Sequence, residues 1–575
     1  MYKNSRKIIF VMLFLLVICL TPTYVGLSKQ KTKVPAPQLL SDPFLQQPTK
    51  NSIRVVWFTE FPGSKHIVTW GRDFTQTAFA TTTKLSRTRE DQKSQVGVQN
   101  ASIPNNKPVK RDIWRHEAVV TGLKPGTRVN YRVTSIRKNG LSVSSKNFTL
   151  TPNPLPNTPL KILLTSDHQL KPMVAANMQK VVETVGRVDG VFFAGDAASA
   201  SDRASGWFDD SSGGAFFPCL QGRARKELEH DGVKITYRGG EIIQHAPIFT
   251  TIGNSDVMGR FSWGNSLNDE YQSAIPRQEA QKLYGKKNLK NNSFNTDTYE
   301  EIFSLPRSKS GGETYYAVTF GNVRLVSLYI TNVWRVPDLG KPRGKYQESP
   351  TDLNNPQNWG YGQFIFEPIT PGSTQYRWLQ QELNSPEFKR AKYKVVMFHH
   401  PPHSLGDNVV PAYTDPVQVI ERDKGGKITA VRYKYPQNLD YLTRDVIPLL
   451  EKANVQLVLY GHSHLWNRFR SRSGMNFLET SNVGNSYGAF WDDKKRQVPT
   501  GDKQDFFQQG NPNGLEPVVP NISPLKNAEG KPLPYIASND ITVFSILDTG
   551  TGTVSSYRFD TSTQEPVVKF DEFNF

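Results

Sequence analysis

The four residues Gly461-His462-Ser463-His464 are the stretch of this sequence best suited to binding a metal ion. They follow the apolar run 455–460, which is long enough to form one buried strand. Side chains at positions i and i+2 of an extended chain point to the same side, so both imidazoles can reach one small site. The alternative is a pair of surface histidines or of hydrogen-bonded core histidines. The choice between the two therefore depends on the residues that follow the other predicted strands.

Polar residues that can bind a metal follow several more apolar runs. Gly-Asp and Gly-Asn pairs are common in turns, so each pair alone carries little information. Ligand-bearing ends of strands in an α/β domain are where binding sites form, and the full ordered set therefore predicts one site. Its carboxylate, amide and imidazole groups suit Zn²⁺, Fe or Mn²⁺ without any cysteine. The predicted metal ligands are Asp167, Asp196, Asn254, His399, His462 and His464.

This set of ligands indicates a specific chemistry. One aspartate can bridge two ions and hold them about 3.5–4 Å apart. Such a pair binds a phosphoryl group and lowers the pKa of a bound water, and the resulting hydroxide can attack phosphorus. The leaving alcohol then needs a proton, which a nearby histidine usually supplies.

Two sequence patterns indicate which structural elements position these residues. Residues 37–152 carry short alternating strands with turn signals, which predict a β-sandwich. Within it, the polar stretch 73–110 is predicted to be an irregular insert. Four prolines in residues 152–159 mark a boundary, and strands alternate with helical patterns from residue 160 to residue 575. That alternation predicts a layered α/β domain.

Charge and composition show no evident specificity for nucleic acid. The 575-residue chain has a net charge of +18, but it has no Lys/Arg block interleaved with aromatic residues that would indicate nucleic-acid binding. The positive charge is compatible with an ordinary basic surface or with attraction to anionic substrates or an anionic cell surface.

The N-terminus predicts export. A basic head is followed by an apolar run over residues 8–20, which is typical of a secretory signal and short for a membrane-spanning helix. Residues 1–27 are therefore a signal peptide or, because no clear cleavage site follows, an N-terminal membrane anchor. We expect a periplasmic, extracellular or cell-surface protein. Outside this segment only Cys219 remains, so an internal disulfide is excluded.

The ordered motifs resemble those of a known family. Strand-Asp167, Gly195-Asp196, Gly253-Asn254, His399-x-Pro401 and Gly461-His-x-His464 are similar to the signature of calcineurin-like metallophosphoesterases. Stretches in residues 42–46, 56–59, 123–127 and 131–133 resemble the N-terminal fibronectin-like domain of purple acid phosphatases. The resemblance implies an N-terminal fibronectin-like β-sandwich, then a four-layer α/β/β/α sandwich with a dimetal site.

The resemblance also implies a role for each residue. Asp196 would bridge the ions and Asp167 and His464 would bind the first, while Asn254, His399 and His462 would bind the second. Asn254 would also contact the substrate phosphate. Asp256 belongs to the same motif and is assigned with it to the catalytic group.

The sequence departs from the family pattern at three places. The first motif, usually Asp-x-His, reads Asp167-His168-Gln169. The family's tyrosine ligand is replaced by Ser199, so His168 or Gln169 is a candidate extra ligand. The family histidine that positions phosphate or protonates the leaving group is replaced by Ser255. His400 and His403 are candidate catalytic substitutes, and the alternative for each is a loop histidine without a catalytic role.

These observations predict an exported, metal-dependent phosphoesterase that hydrolyses phosphate monoesters of small molecules. One alternative is a phosphodiesterase. Another is a catalytically weakened phosphate- or metal-binding surface protein, which Ser255 would favour. A purely structural adhesion module is disfavoured, since it would not need the metal ligands.

Overall fold

The computed structural model describes residues 36–94, 107–335, 344–498, 505–511, 513–563 and 565–575. The predicted signal or anchor over residues 1–27 lies outside these ranges. Within them, no helix is both long enough and apolar enough to cross a membrane.

The N-terminal part is a β-sandwich. Its strands are β1 (Phe44–Gln46), β2 (Ile53–Thr59), β3 (Lys65–Trp70), β4 (Gln76–Phe79), β5 (Thr81–Lys84), β6 (Arg89–Glu90), β7 (Val109–Lys110), β8 (Trp114–Val120), β9 (Val129–Ile136), β10 (Ser142–Ser144) and β11 (Phe148–Leu150). One sheet has the order β1-β2-β8-β5, and the other has the order β10-β9-β3-β4 with β11 paired to β9. A short ladder joins β6 and β7.

The structure corrects the prediction for residues 73–110, because the described part of this stretch contains β4, β5, β6 and β7. Strands β4 and β5 lie at sheet edges and are largely exposed. An edge strand without a buried face needs no hydrophobic alternation, so its sequence does not show the usual strand pattern.

The second part is a layered α/β domain. Its strands are β12 (Lys161–Thr165), β13 (Gly190–Phe193), β14 (Lys226–His230), β15 (Val233–Tyr237), β16 (Ile248–Thr250), β17 (Tyr316–Phe320), β18 (Val323–Ser327), β19 (Tyr393–Met397), β20 (Val417–Arg422), β21 (Ile428–Lys434), β22 (Leu457–Tyr460), β23 (Trp466–Arg470), β24 (Asn476–Thr480), β25 (Glu516–Pro517), β26 (Tyr535–Ile536), β27 (Ile541–Asp548), β28 (Thr553–Asp560) and β29 (Val568–Asn574).

Its helices are α1 (Val174–Val185), α2 (Ala204–Phe208), α3 (Phe216–Leu220), α4 (Leu267–Gln272), α5 (Arg277–Tyr284), α6 (Leu289–Asn292), α7 (Asp297–Ile302), α8 (Thr374–Leu383), α9 (Pro386–Arg390) and α10 (Ile447–Lys452). Two 3₁₀ turns (Pro356–Asn358 and Gln437–Leu439) and a π-helical turn (Leu442–Val446) complete the helical structure of the described residues.

Two sheets stack face to face at the centre of this domain. Their strand orders are β16-β13-β12-β27-β28-β29 and β17-β18-β19-β22-β24-β23-β25, with β26 paired to β23. Ile162 and Leu164 of the first sheet pack with Val395 of the second in the core between the sheets. The neighbouring Leu163 faces α1 to α3, and Val396 faces α8 to α10. The predicted four-layer α/β/β/α arrangement is therefore confirmed.

The sandwich packs closely on the layered domain. Strand β2 is buried on both faces: Val55 and Trp57 lie in the sandwich core, while Phe58 belongs to the core of the layered domain. The ring of Phe58 lies 4.9 Å from that of Phe208. Residues 37–575 accordingly form one compact unit. The division at residues 152–160 remains a prediction from sequence.

Two stacked histidines lie inside the sandwich. The rings of His66 and His116 are 3.6 Å apart and nearly parallel. His66 Nε2 can only donate to the carbonyl of Pro62, at 2.8 Å, so a neutral ring accepts at Nδ1 from Ser135. Burial lowers the pKa of both histidines; that of His116 falls to about 2, through burial first and then through His66 and Arg115.

The stability of the protein should therefore depend on this pair in mild acid. The unfolded chain binds a proton to His116 below a pKa of about 6.5, whereas the folded chain keeps this ring neutral to a pH near 2. Unfolding free energy is thus lost as pH falls through 6.5, by up to about 1.4 kcal/mol per pH unit through His116. Urea titrations between pH 7 and 4.5 should show a shallower loss for His116→Gln. The control His230→Gln, on the β14 hairpin, should keep the wild-type slope; an unchanged slope in His116→Gln would contradict this assignment.

Candidate metal centre

The predicted ligands meet because the strands that precede them run parallel. Strands β12, β13 and β16 are parallel neighbours in one sheet, and β19 and β22 are parallel neighbours in the other. Parallel strands end at a common edge, so the loops after them converge. The side chains that these loops bring together are all buried: Asp167, Asp196, Asn254, His399, His462 and His464.

Four of these residues have a backbone that L-amino acids rarely adopt. The φ angles are 58° at Asp167, 63° at Asp196, 79° at His462 and 57° at His464. A left-handed backbone costs roughly 1–2 kcal/mol at a residue other than glycine. Such strained residues persist where the surrounding structure holds them and they cluster at functional sites.

Two glycines of the motifs allow the loops to approach closely. A methyl group on Gly253 would overlap the carboxylate of Asp196. One on Gly461 would overlap the carboxylate of Asp167 and the hydroxyl of Ser166. The glycines that precede Asn254 and His462 are therefore needed for space beside the aspartates.

One group of ligand atoms surrounds the amide oxygen of Asn254. His399 Nε2 lies 3.0 Å and His462 Nδ1 lies 2.8 Å from Asn254 Oδ1. His399 Nδ1 donates to the carbonyl oxygen of Ala194 at 2.8 Å, which leaves Nε2 to face the site. A backbone carbonyl behind the imidazole is the usual second contact of a metal-binding histidine.

The second group contains both aspartates. His464 Nε2 lies 3.5 Å from Asp167 Oδ1, and His464 Nδ1 donates to Asn485 O at 2.9 Å. Asp167 Oδ1 is buried and accepts no hydrogen bond, whereas Oδ2 accepts from the His462 amide at 2.9 Å. Asp196 Oδ2 lies 3.4 Å from His399 Nε2, which places Asp196 next to the first group.

These residues fit transition-metal ions. Ligand atoms of Asp167, Asp196 and His399 lie within 4.8 Å of one another, and so do those of His399, His400 and His462. Burial alone would lower the pKa of His399, but Asp196, Asp167 and the Ala194 carbonyl raise it to about 10. The site thus attracts a cation, and metal binding would displace the proton.

Comparison with known families agrees with this geometry. A family model described as calcineurin-like phosphoesterase matches residues 160–465, more than half of the chain. The chain belongs to the calcineurin-like phosphoesterase family. A second model, the purple acid phosphatase N-terminal domain, matches residues 44–151. The family implies a dimetal centre, for which the two ligand groups are suited.

Two solved structures are similar to this calcineurin-like phosphoesterase. One is the purple acid phosphatase PPD1 from yellow lupin (Lupinus luteus) seeds, with 14% identity over 94% of this chain and 74% of that chain and a TM-score of 0.51. The other is GAP50, the anchor in the inner membrane complex of Plasmodium, with 13% identity over 72% and 89% of the two chains and a TM-score of 0.30. The first shows a shared fold. None of the curated protein sequences matches this chain.

The two candidate extra ligands lie in different surroundings. Gln169 lines the cleft above the site, and its amide contacts Asp196 Oδ2 and Ser255 Oγ. His168 instead packs edge-on against Phe193, with ring centroids 4.9 Å apart, in the aromatic core. Gln169 therefore remains a candidate metal ligand, whereas His168 is not one, because its ring packs in the aromatic core. Ser199 lines the cleft as well, but donates to the Gln169 carbonyl at 2.7 Å.

The structure corrects the two candidate substitutes for the family histidine. His403 is buried, accepts from the Leu405 amide at 3.2 Å, and contacts Asn467 Oδ1 at 3.1 Å and the Tyr460 hydroxyl at 3.2 Å. Burial lowers its pKa to about 3. His403 is thus a satisfied core histidine.

His400 also lies outside the cleft. It stacks on His462 with ring centroids 4.0 Å apart, and its Nδ1 contacts Thr331 Oγ1 at 2.9 Å. It lines a separate cavity that is large enough for about one water. His400 therefore lies beside the ligand His462, within reach of the same metal group, and is not among the residues that line the cleft.

Asp256 has a structural role that the motif did not reveal. Its carboxylate accepts the backbone N–H groups of Asp196 and Gly253, both at 2.9 Å, and of Ala197 at 3.1 Å. It is fully buried, and burial together with the charge of Asp196 raises its pKa to about 7. Asp256 therefore holds the loops of Asp196 and Asn254 together and does not contact a substrate.

The ligands open onto a cleft of about 270 Å³. Sequence motifs indicated Asp196, Asn254, His462 and His464 on its wall, but they missed Lys171, Tyr271 and Tyr487. Tyr487 stacks on His464 with ring centroids 5.2 Å apart. Lys171 follows Asp167 by four residues, and this proximity to a motif could have indicated it as a cleft residue. Tyr271 lies outside every motif.

Substituting Gly461 should test how tightly the site is packed. Gly461→Ala should displace Asp167 and lower the metal content of the purified protein severalfold, because the methyl group has no free space. The control Gly214→Ala should keep wild-type metal content, since no neighbouring atom lies within 3.8 Å of the added carbon. Elemental analysis of both variants checks this. Wild-type metal content in a folded Gly461→Ala protein would contradict the packing argument.

Proposed function

We propose that the protein is an exported, metal-dependent phosphoesterase that hydrolyses phosphate monoesters of small molecules through a dimetal-activated water. The observation that carries the proposal is the cleft: its wall presents four of the ligand residues together with Lys171. Bound Fe, Zn or Mn ions would supply phosphoryl binding and a water of lowered pKa. Asp167, Asp196 and His464 would hold one ion, and Asn254, His399 and His462 the other, with Asp196 shared.

Lys171 supports a monoester as the substrate. Burial lowers its pKa to about 8, an effect that the charges of Asp167 and Asp196 oppose. A phosphate monoester carries about −1.5 to −2 charges at pH 7. A diester carries one charge and a second organic group. A small cleft with a cation on its wall favours the more charged and less bulky ester.

A phosphate- or metal-binding protein of low activity is the second candidate. Among the described residues that line the cleft, the histidines are His462 and His464, both assigned to metal. No other cleft histidine is therefore available to protonate a leaving group. This arrangement favours slow turnover of esters with poor leaving groups.

Export rests on the sequence alone. The basic head and the apolar run over residues 8–20 support a signal peptide or an N-terminal membrane anchor. The described part of the chain begins after them, at Ala36.

Turnover of matched aryl phosphates tests the proposal. Metal-loaded protein should hydrolyse 4-nitrophenyl phosphate with a higher kcat/KM than bis(4-nitrophenyl) phosphate. Lys171→Met should raise KM for the monoester by about tenfold or more, because the variant loses a hydrogen bond to the charged phosphate group and such a bond usually contributes at least this much to binding. The control Lys180→Met, in α1, should leave KM unchanged, because Lys180 pairs with Glu183 and does not line the cleft.

Three results would count against it. A preference for the diester would make the protein a phosphodiesterase. An unchanged KM in Lys171→Met would remove the argument for monoesters. Binding of phosphate without turnover of either ester would favour the binding protein.

A further inference from the structure

Helix α4 forms one wall of the cleft. Three of its residues, Asn268, Tyr271 and Gln272, line the cleft. The helix is short and lies between β16 and β17 in the chain, outside the motifs that carry the metal ligands. It therefore contributes contacts to a bound molecule that the ligand motifs do not.

Tyr271 touches the ligand set directly. Asn254 Nδ2 donates to the Tyr271 hydroxyl at 2.9 Å. The bond orients the amide so that Asn254 Oδ1 faces His399 and His462. It uses a lone pair of the phenolic oxygen, so the hydroxyl proton can still be donated.

The hydroxyl of Tyr271 lies beside Ser255, the residue that replaces the family histidine. Ser255 has a short side chain, and its hydroxyl turns inward to Asp196 Oδ2 at 3.2 Å. The Tyr271 hydroxyl neighbours Ser255, and Tyr271 is one of the residues that line the cleft. A neutral phenol at this point can replace the missing donor to a phosphate oxygen.

Buried ion pairs from the sandwich hold α4 in place. Arg89 bonds both Glu270 of α4 and Asp202 at 2.7 Å, with side chains about 1% exposed. The amide of Leu267 donates to Asp91 Oδ2 at 2.9 Å, and Arg203 pairs with the same carboxylate. Charges buried this deeply are held in fixed geometry, because breaking one pair leaves an uncompensated charge. The β6 segment thus fixes the position of Tyr271.

We propose that the hydroxyl of Tyr271 donates a hydrogen bond to an oxygen of the bound phosphate group, in the place of the histidine that Ser255 replaces. The ligand is a phosphate or phosphate-ester oxyanion. The proposal rests on the phosphoesterase function proposed above, but it concerns binding and can be measured without turnover.

Binding of inorganic phosphate to metal-loaded protein tests the role of Tyr271. Tyr271→Phe removes only the hydroxyl, so the dissociation constant from calorimetry should rise by about tenfold or more. Metal content, measured in the same samples, should not change, because the ligands remain. The matched control is Tyr315→Phe, which removes the hydroxyl of another buried tyrosine whose 2.9 Å bond, to Ser310, lies outside the cleft. It should bind phosphate like the wild type.

Two results would overturn the proposal. Tyr271→Phe binding phosphate like the wild type would show that the hydroxyl makes no contact with it. If Tyr271→Phe loses metal content and phosphate binding together, Tyr271 only orients the ligand Asn254 and does not contact the phosphate. If the wild type binds phosphate but hydrolyses no ester, while Tyr271→Phe binds weakly with full metal, the enzyme proposal fails and the Tyr271 proposal stands.

Discussion

The buried negative charge of Asp167 and Asp196 is the constraint on which the rest of the structure depends. Both carboxylates lie at the ends of neighbouring parallel strands with almost no solvent contact. A buried carboxylate is costly unless it is paired or coordinates a metal. His399, at 3.4 Å from Asp196, and His464, at 3.5 Å from Asp167, supply partial compensation. The site is therefore arranged for cations.

The elements around the carboxylates keep them in place by short-range contacts. Asp256 bonds the backbone of the Asp196 loop and the Gly253 loop together. Glu479 is buried behind the histidine turn and accepts the Ser463 amide at 2.8 Å. These contacts hold residues whose left-handed backbone would otherwise relax. The buried acids Asp256 and Glu479 therefore stabilise the strained loops that position the ligands.

The β-sandwich contributes to the site as well as to stability. Through Arg89 and Asp91 it fixes helix α4, which carries Tyr271 on the cleft wall. The sandwich and the layered domain also share buried aromatic contacts such as Phe44 with Phe217, whose rings lie 5.0 Å apart. A movement of the sandwich would alter the cleft directly.

The sequence predicted the features that depend on local pattern. Apolar runs located the strands before Asp167, Asp196, Asn254, His399 and the histidine pair, because buried parallel strands are nearly continuous in apolar residues. It did not show which of two adjacent residues faces the cleft, since the tight turn after β12 sends His168 into the core and Gln169 outward. Exposed edge strands such as β4 leave no apolar pattern.

Tyr271 was missed for a different reason. Its position depends on pairs far apart in the chain, such as Arg89 with Glu270, and no local pattern reports such a contact.

Elemental analysis of Asp196→Ala is the most direct test of the central claim, because Asp196 is assigned to both ions. The wild type should hold up to two transition-metal ions per chain and Asp196→Ala should lose both. The control Asp189→Ala, near the opposite end of the same strand β13, should keep the wild-type content. Full metal in a folded Asp196→Ala protein would contradict the account.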